Sequence, residues 1–174
     1  GVYQPNEGSI FVDSKKVSLL NPQEAFTHGI NVVHQERNLI PTFTVAENIM
    51  IEQYCKKMTS TINQKKINQD AQKYIDLVGL DLEPTKNVEE LSAGKQQLVE
   101  IAKALSSDAK IILLDEPTAS ISIKEREGLL DLIRNLRNKG VTFIFVSHKL
   151  EEVFNIADTV TVLRDGKNVK DEGT

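Results

Sequence analysis

The chain has 174 residues, enough for one domain with a subdomain, and its 21 Lys and Arg against 25 Asp and Glu give a formal charge of −4. A content of 40% hydrophobic and 26% charged residues excludes intrinsic disorder and fibrous architecture, and a single cysteine excludes an intramolecular disulfide framework. The mild acidity argues against a general nucleic-acid binder, and no apolar run reaches the about 18 residues that predict a membrane-spanning helix.

Two short apolar runs near the amino terminus predict strands. Ile10–Val12 lies between Gly8 and a polar turn, and Ile30–Val33 follows Gly29. Pro22 predicts the first turn of a helix between these strands, where its missing N–H costs nothing.

The stretch from residue 40 to 106 is predicted to be mostly helical. Thr44 and Glu47 have the T-x-x-E pattern of a capping box, in which each side chain accepts a hydrogen bond from the other residue's backbone N–H. Ser92 can cap another helix. The polar stretch 55–69 is a solvated connection or an exposed helix start. Apolar residues spaced as one helix face are Ala71, Tyr74, Ile75 and Val78, and then Leu98, Ile101, Ala102 and Leu105.

The remaining chain alternates between strand and helix patterns. Residues 111–114 form a continuous apolar run, as expected for a strand buried on both faces of a parallel sheet, and residues 143–146 form another. A helix between them is predicted to end near Gly140, and Asp165-Gly166 is typical of a hairpin turn. This alternation predicts an α/β fold with right-handed crossovers.

Two carboxylates follow the first of these apolar runs. Asp115 and Glu116 come directly after residues 111–114 and before Pro117. Open α/β sheets bind ligands at the carboxyl ends of their strands, where an Asp can hold Mg²⁺ and a neighbouring carboxylate can orient an attacking water. The alternative interpretation is an ordinary acidic turn at a strand end.

A second motif opens the helix that Ser92 caps. Residues 91–97 read Leu-Ser-Ala-Gly-Lys-Gln-Gln, and the backbone N–H groups and positive end of this helix form an anion site. Gln35 and His148 each follow a predicted strand. Taken singly, Gln35 is interpreted as a solvated loop residue and His148 as a polar residue at a strand end.

Together the four motifs have the order and spacing of the ATP-binding-cassette ATPases, and the chain resembles that family over essentially its whole length. Residues 29–41 and 45–49 look like the Q-loop region of monosaccharide importers. Residues 96–105 look like the amino-terminal cassette of their tandem, ribose/galactose-type ATPase subunit. The resemblance implies a P-loop NTPase (RecA-like) α/β fold, with a mostly parallel sheet flanked by helices. It divides the chain into an ATPase core, residues 1–39 and 107–174, and an inserted helical signature subdomain, residues 40–106.

The resemblance also implies roles for single residues. Gln35 would be the Q-loop residue near Mg²⁺ and the attacking water, and Asp115 the magnesium carboxylate. Glu116 would polarise the water, and His148 would hydrogen-bond the γ-phosphate. The signature loop would close over the γ-phosphate of ATP bound to another cassette, and the D-loop would contact that cassette. The signature loop contains Ser92, Ala93, Gly94, Lys95 and Gln96, and the D-loop, residues 119–122, contains Ser120 and Ser122.

The sequence departs from the family pattern in three respects. Ala93 and Lys95 stand where Gly and Gln are usual, and Ser122 stands where most members have Asp. No G-x-x-x-x-G-K-[ST] segment, the P-loop whose backbone N–H groups surround phosphates, occurs in the sequence. In family members that segment comes just before the stretch that residues 1–8 resemble, so the resemblance favours truncation at the amino terminus.

Two hypotheses of function follow from the resemblance. In the first, the chain is an ATPase subunit that uses Mg²⁺ and ATP and pairs with a second cassette, in the same chain or as a homodimer. It would energise monosaccharide import through transmembrane permease subunits, as a peripheral protein at the cytoplasmic face of the cell membrane. In the second, it is a non-hydrolysing chain that only binds a membrane partner or supplies the signature loop in trans; without a P-loop it is predicted to be inactive alone.

A DNA-repair or chromosome-structure cassette is disfavoured, and no nucleic acid is expected as a partner. Those cassettes insert long coiled coils between the Q-loop and the signature, whereas residues 35 and 91 are only 91 − 35 = 56 positions apart. The net charge of −4 also does not favour binding to the phosphates of DNA.

Overall fold

The structure is a computed structural model that describes residues 2–36, 38–56 and 63–173. The described residues form seven strands and six α-helices. In chain order these are β1 (Ile10–Val12), β2 (Lys15–Val17), α1 (Pro22–Thr27), β3 (Ile30–Val33), α2 (Val45–Lys56), α3 (Gln64–Leu77), α4 (Ala93–Ser106), β4 (Ile111–Asp115), α5 (Ile123–Asn138), β5 (Thr142–Val146), α6 (Leu150–Ile156), β6 (Thr159–Arg164) and β7 (Lys167–Gly173). A short 3-10 turn, Val88–Glu90, precedes α4.

A parallel sheet of β3, β4 and β5, in that order, lies at the centre of the fold. Ile111 of β4 is opposite both Ile30 of β3 and Thr142 of β5, so the carboxyl ends of the three strands lie at one edge. Parallel neighbours need crossover connections. Helices α2, α3 and α4 lie between β3 and β4 in the chain, and α5 lies between β4 and β5. The predicted α/β fold with a parallel sheet is confirmed.

Only one face of this sheet is buried among the described residues, contrary to the expectation for residues 111–114. Ile112 and Leu114 are fully buried in the core, whereas Ile111 and Leu113 are half-buried. Successive side chains of a strand point to opposite faces, so a continuous apolar run leaves every second residue on the uncovered face. The prediction from the apolar run was wrong about burial, although it was right about the strand.

Helices α2, α3 and α4 pack against one another, and their apolar faces meet in the core. The capping box at the start of α2 is confirmed, because the N–H of Glu47 donates to Thr44 Oγ1 at 3.2 Å and the N–H of Thr44 donates to Glu47 Oε2 at 2.8 Å. Ala71 and Ile75 on the predicted face of α3 are fully buried, as is Ile101 on that of α4.

Antiparallel hairpins lie at both ends of the described chain. β1 pairs with β2, which the sequence does not predict because Lys15–Val17 has a single apolar residue. β6 pairs with β7 around Asp165 and Gly166, whose φ angles of +52° and +73° are those of the predicted Asp-Gly turn. No described helix has the length and apolar character needed to cross a membrane.

Candidate functional site

Glu116 and His148 meet at the carboxyl edge of the parallel sheet. Asp115 is the last residue of β4 and is half-buried, and its backbone is paired with Val146 at the end of β5. The N–H of Glu116 donates to the carbonyl of Val146 at 3.0 Å. Two residues beyond β5, His148 Nδ1 lies 2.7 Å from Glu116 Oε1. The structure therefore brings together the two residues that were predicted as water-polarising and γ-phosphate-binding.

Glu116 has a strained backbone and an incompletely paired carboxylate. Its φ of +47° lies in the left-handed region that non-glycine residues seldom occupy, and such strain persists where surrounding structure enforces it, often at functional sites. The side chain is 19% exposed, and Oε2 is buried with no hydrogen-bond partner within the described chain. A buried carboxylate oxygen without a donor is a position at which a bound water could donate a hydrogen bond.

A buried network fixes the two segments that carry this pair. Thr118 Oγ1 donates to Glu152 Oε2 at 2.6 Å, and Glu152 is only 4% exposed. Glu152 Oε1 lies 3.4 Å from both Arg126 Nη1 and Lys149 Nζ. Lys149 Nζ also donates to the carbonyl of Thr118 at 3.2 Å. Because Thr118 is two residues after Glu116 and Lys149 directly follows His148, the network holds the pair at its observed separation.

Glu152 is not among the residues predicted from the sequence, and no local signal identifies it. It is one of two adjacent acids in the first turn of α6, a position typical of an exposed helix start. Only the tertiary structure shows that this acid is buried and paired with Arg126 and Lys149.

The signature loop contacts a glutamate from α5. Ser92 caps α4 as predicted, since its Oγ accepts a hydrogen bond from the N–H of Lys95 at 3.4 Å. The same hydroxyl donates to Glu125 Oε1 at 2.7 Å. Gly94 is buried beneath Glu125, because a Cβ at this position would lie 2.5 Å from Glu125 Cδ and 2.8 Å from Glu125 Cβ. Gly94 is therefore needed for close packing against α5.

The other signature residues have different surroundings. Ala93 is half-buried and Lys95 is exposed. The side-chain amide of Gln96 donates to the carbonyls of Val88 at 3.1 Å and Leu91 at 3.2 Å. Gln96 therefore braces the turn that leads into the signature loop.

Glu125 also holds the end of the D-loop. The N–H and hydroxyl of Ser122 donate to Glu125 Oε2 at 3.0 and 2.7 Å, and the N–H of Glu125 donates back to Ser122 Oγ at 3.3 Å. Hydrogen bonds from Ser92, then from Ser122 and from the Gly94 backbone, lower the pKa of Glu125 from 4.5 to about 2. Glu125 is not among the residues predicted from the sequence, although the S-x-x-E pattern of residues 122–125 is typical of a capping box.

Gln35, the predicted Q-loop residue, faces the same groove as residues of the D-loop. An open groove of about 750 Å³ separates the segment after β3 from the start of α4 and the D-loop. Gln35 is exposed at this groove. The residues that line the groove include Gln35, Glu36, Leu39, Gln96, Ala119 and Ser120.

Helix α4 holds the backbone of this same segment at Asn38. Lys103 Nζ donates to the carbonyl of Asn38 at 3.1 Å, and the Asn38 N–H donates to Glu100. Glu100 is 6% exposed, and this burial raises its pKa even though Lys103 and the hydrogen bond from Asn38 oppose the change. The helix that begins at the signature loop is therefore bonded to the segment that carries Gln35.

The comparisons with known proteins agree with this arrangement. A family model described as ABC transporter matches residues 1–119. The chain is 46% identical over 167 residues to the ribose import ATP-binding protein RbsA of Corynebacterium glutamicum, covering 96% of this chain and 32% of that protein. It is 43% identical over 168 residues to the protein of the same name from Geobacillus kaustophilus, covering 96% of this chain and 34% of that protein. The chain thus spans about a third of the length of these relatives.

Solved structures show the same fold. The ADP conformation of MJ1267, an ATP-binding cassette of an ABC transporter, aligns with a TM-score of 0.85 at 25% identity and covers 99% of this chain and 71% of that chain. The dimeric post-hydrolysis state of the cassette MJ0796, bound to ADP and Pi, aligns with a TM-score of 0.76 at 26% identity and covers 98% of this chain and 75% of that chain. With its family model, relatives and fold in agreement, the chain belongs to the ABC transporter family and has the fold of its ATP-binding cassettes.

Proposed function

We propose that this chain carries the water-activating and signature elements of an ABC ATPase that energises monosaccharide import. The single observation that supports this most directly is the Glu116–His148 pair, 2.7 Å apart at the carboxyl end of β4 and β5. Two relatives, at 43% and 46% identity, are named ribose import ATP-binding proteins. Their names support a monosaccharide as the transported substrate.

In this proposal Glu116 and His148 act on the water and the γ-phosphate. Glu116 Oε2 is buried without a partner in the described chain, so it accepts a hydrogen bond from the attacking water and orients it. Oε1 is held by His148 Nδ1. The ring of His148 is 73% exposed, which leaves its other nitrogen for a phosphate oxygen as charge develops.

The residues present fit a Mg²⁺ ion that the protein and the nucleotide coordinate together, rather than one enclosed by protein ligands alone. Asp115 and Gln35 offer oxygen donors, the type that Mg²⁺ prefers. In the described ranges no group of three or more His, Cys, Asp or Glu is placed to hold a metal, so phosphate oxygens and waters would complete the coordination. When bound, Mg²⁺ neutralises charge on the β- and γ-phosphates.

The remaining motifs act between molecules in this proposal. The signature loop, with Ser92 and Gly94, contacts the γ-phosphate of ATP held by a second cassette, and the D-loop, with Ser120 and Ser122, contacts that cassette. Residues 40–106 form the helical subdomain that transmits closure to transmembrane permease subunits, and residues 1–39 and 107–174 form the core. The bond between α4 and Asn38 supports communication between the signature loop and the Q-loop. The assembly is proposed to lie at the cytoplasmic membrane face.

ATP hydrolysis by a hybrid protein tests this function. The hybrid joins the chain to the P-loop strand and helix of an ABC cassette, and we expect Mg²⁺-dependent hydrolysis. Glu116→Gln is expected to lower kcat by about 10²–10³-fold with ATP binding retained, because it removes the carboxylate that orients water. Glu127→Gln, an exposed residue of α5, removes the same charge and serves as the control. Hydrolysis that is absent from the hybrid, or unchanged in Glu116→Gln, contradicts the proposal.

The second candidate is that the chain by itself only binds a membrane partner or supplies the signature loop in trans. The absence of a G-x-x-x-x-G-K-[ST] segment from the sequence favours it. Calorimetry of the chain with Mg-ATP is expected to show no saturable binding, because the phosphate-binding lysine and backbone N–H groups of that segment are missing. Tight one-to-one binding of Mg-ATP would refute this candidate.

A further inference from the structure

We propose that the Glu125 carboxylate is a built-in occupant of the anion position at the signature loop, and that a phosphate oxygen must displace it to reach Ser92 and Gly94. The inference rests on the proposed function, in which this loop receives a γ-phosphate. It adds that arrival of the phosphate releases the D-loop.

The geometry shows that the Ser92 hydroxyl is already engaged. Its Oγ donates to Glu125 Oε1 at 2.7 Å, and a hydroxyl has one proton to donate. The backbone N–H of Gly94 also bonds to Glu125. The side chain lies so close over Gly94 that a Cβ there would be 2.6 Å from Glu125 Oε1. While Glu125 stays in place, both the Ser92 hydroxyl and the Gly94 N–H are therefore already used by its carboxylate.

Helix capping alone does not account for this contact. The N–H of Ser122, which belongs to the capping box of α5, donates to Oε2 of Glu125, and so does the Ser122 hydroxyl. The other oxygen, Oε1, is turned to Ser92, which is 33 residues away in the sequence. One carboxylate thus bridges the D-loop and the signature loop.

Charge repulsion prevents the Glu125 carboxylate and a phosphate from occupying the signature loop together. The hydrogen bonds from Ser92, Ser122 and Gly94 hold the pKa of Glu125 at about 2, so it is ionised at neutral pH. A phosphate at hydrogen-bond distance from Ser92 would bring its negative charge to within about 4 Å of the Glu125 carboxylate, and this repulsion disfavours both anions at the loop at once. Movement of Glu125 relieves this repulsion, but it removes the acceptor of both Ser122 donors. Signature occupancy and D-loop release are therefore coupled, and the coupling is reciprocal.

Titration of the full 174-residue chain with inorganic phosphate, followed by NMR at the backbone N–H signals of Ser92 and Gly94, tests the displacement. Glu125→Gln keeps the size of the side chain and removes its charge, and we expect it to bind phosphate about tenfold more tightly than the unsubstituted chain. Glu127→Gln on the same helix removes an equal charge from an exposed side chain that makes none of these contacts, and it is expected to leave the affinity unchanged. Equal affinity in all three proteins, or weaker binding by Glu125→Gln, overturns the proposal.

A second NMR measurement uses only the unsubstituted chain, so its result does not depend on whether the Glu125→Gln variant folds. High phosphate is expected to move the carboxyl ¹³C signal of Glu125 and the N–H signal of Ser122 together with that of Gly94. A response of Gly94 without Glu125 and Ser122 overturns the displacement. These readouts need neither ATP hydrolysis nor a second cassette, so an inactive hybrid would refute the proposed function and leave this result standing.

Discussion

At the scale of single residues, Gly94 and Glu116 show what the neighbouring structure demands of a position. Gly94 has no side chain because Glu125 occupies the space where a Cβ would be. Glu116 keeps a positive φ because its N–H bonds to Val146 and its carboxylate to His148. Sequence motifs single out both residues. The contacts that explain why each is needed come from segments that are distant in the chain.

Gly94→Ala is expected to destabilise the chain, because the new methyl group would lie 2.8 Å from Glu125 Cβ, which cannot move without a shift of α5. Overpacking of this kind costs about 1–3 kcal/mol, measured as a lower free energy of unfolding in urea. Gly128→Ala is the matched control: it is a glycine in the interior of α5 with nothing within 4 Å of an added Cβ. That variant should gain up to about 1 kcal/mol through helix propensity. Equal stability of both variants would contradict the packing argument.

At the scale of elements, local patterns predicted most starts and ends correctly. The capping residues Thr44 and Ser92 were predicted because the capping pattern is contained within four residues. The capping box of α5 was not predicted although residues 122–125 carry its pattern, because the same residues overlap the end of the D-loop motif. β2 was not predicted, because Lys15–Val17 is held by pairing with β1 rather than by its own apolar pattern.

Glu125 makes the stability of the α5 start depend on pH. Its pKa is about 2 in the folded chain against 4.5 without these contacts, so its contribution is complete above pH 4.5 and is lost as the pH falls toward 2. Urea unfolding between pH 5.5 and pH 3, at about half-unit steps, should therefore show a loss of stability that Glu125→Gln removes. Ser92→Ala should reduce the loss, since Ser92 is the largest cause of the lowered pKa. A loss that is equally steep in Glu125→Gln would assign it to other carboxylates.

At the scale of the whole molecule, the described helices cover one face of the central sheet, and within the described residues apolar side chains lie exposed on the other face. Val32, Ile144 and Val146 are 38%, 49% and 48% exposed. The apolar runs predicted that the strands are buried, but a run of apolar residues does not say how many faces the rest of the described chain covers. The fold class was therefore predicted, whereas the one-sided core was not.

This uncovered face is expected to bind an apolar dye. Ile144→Thr should lower the fluorescence of bound anilinonaphthalene sulfonate, because contiguous exposed apolar surface is what such dyes bind. The free energy of unfolding should change by less than about 1 kcal/mol, since this side chain is already half-exposed. Ile112→Thr on the covered face is the contrasting variant and should cost several times more, because Ile112 is 0% exposed. Unchanged dye binding in Ile144→Thr would show that the face is not the dye site.

The sequence alone determined most of the secondary structure, the parallel α/β fold, the family and the order of its motifs, because periodicities, caps and motifs are local properties of the chain. Only the tertiary structure decided which of these motifs touch. It placed His148 against Glu116, buried Glu152 between Thr118, Arg126 and Lys149, and set Glu125 on the signature loop. Apart from Lys149 and Glu152, which are three positions apart, those contacts join residues 26 to 34 positions apart. Their geometry depends on how α5, α6 and β5 pack around the sheet.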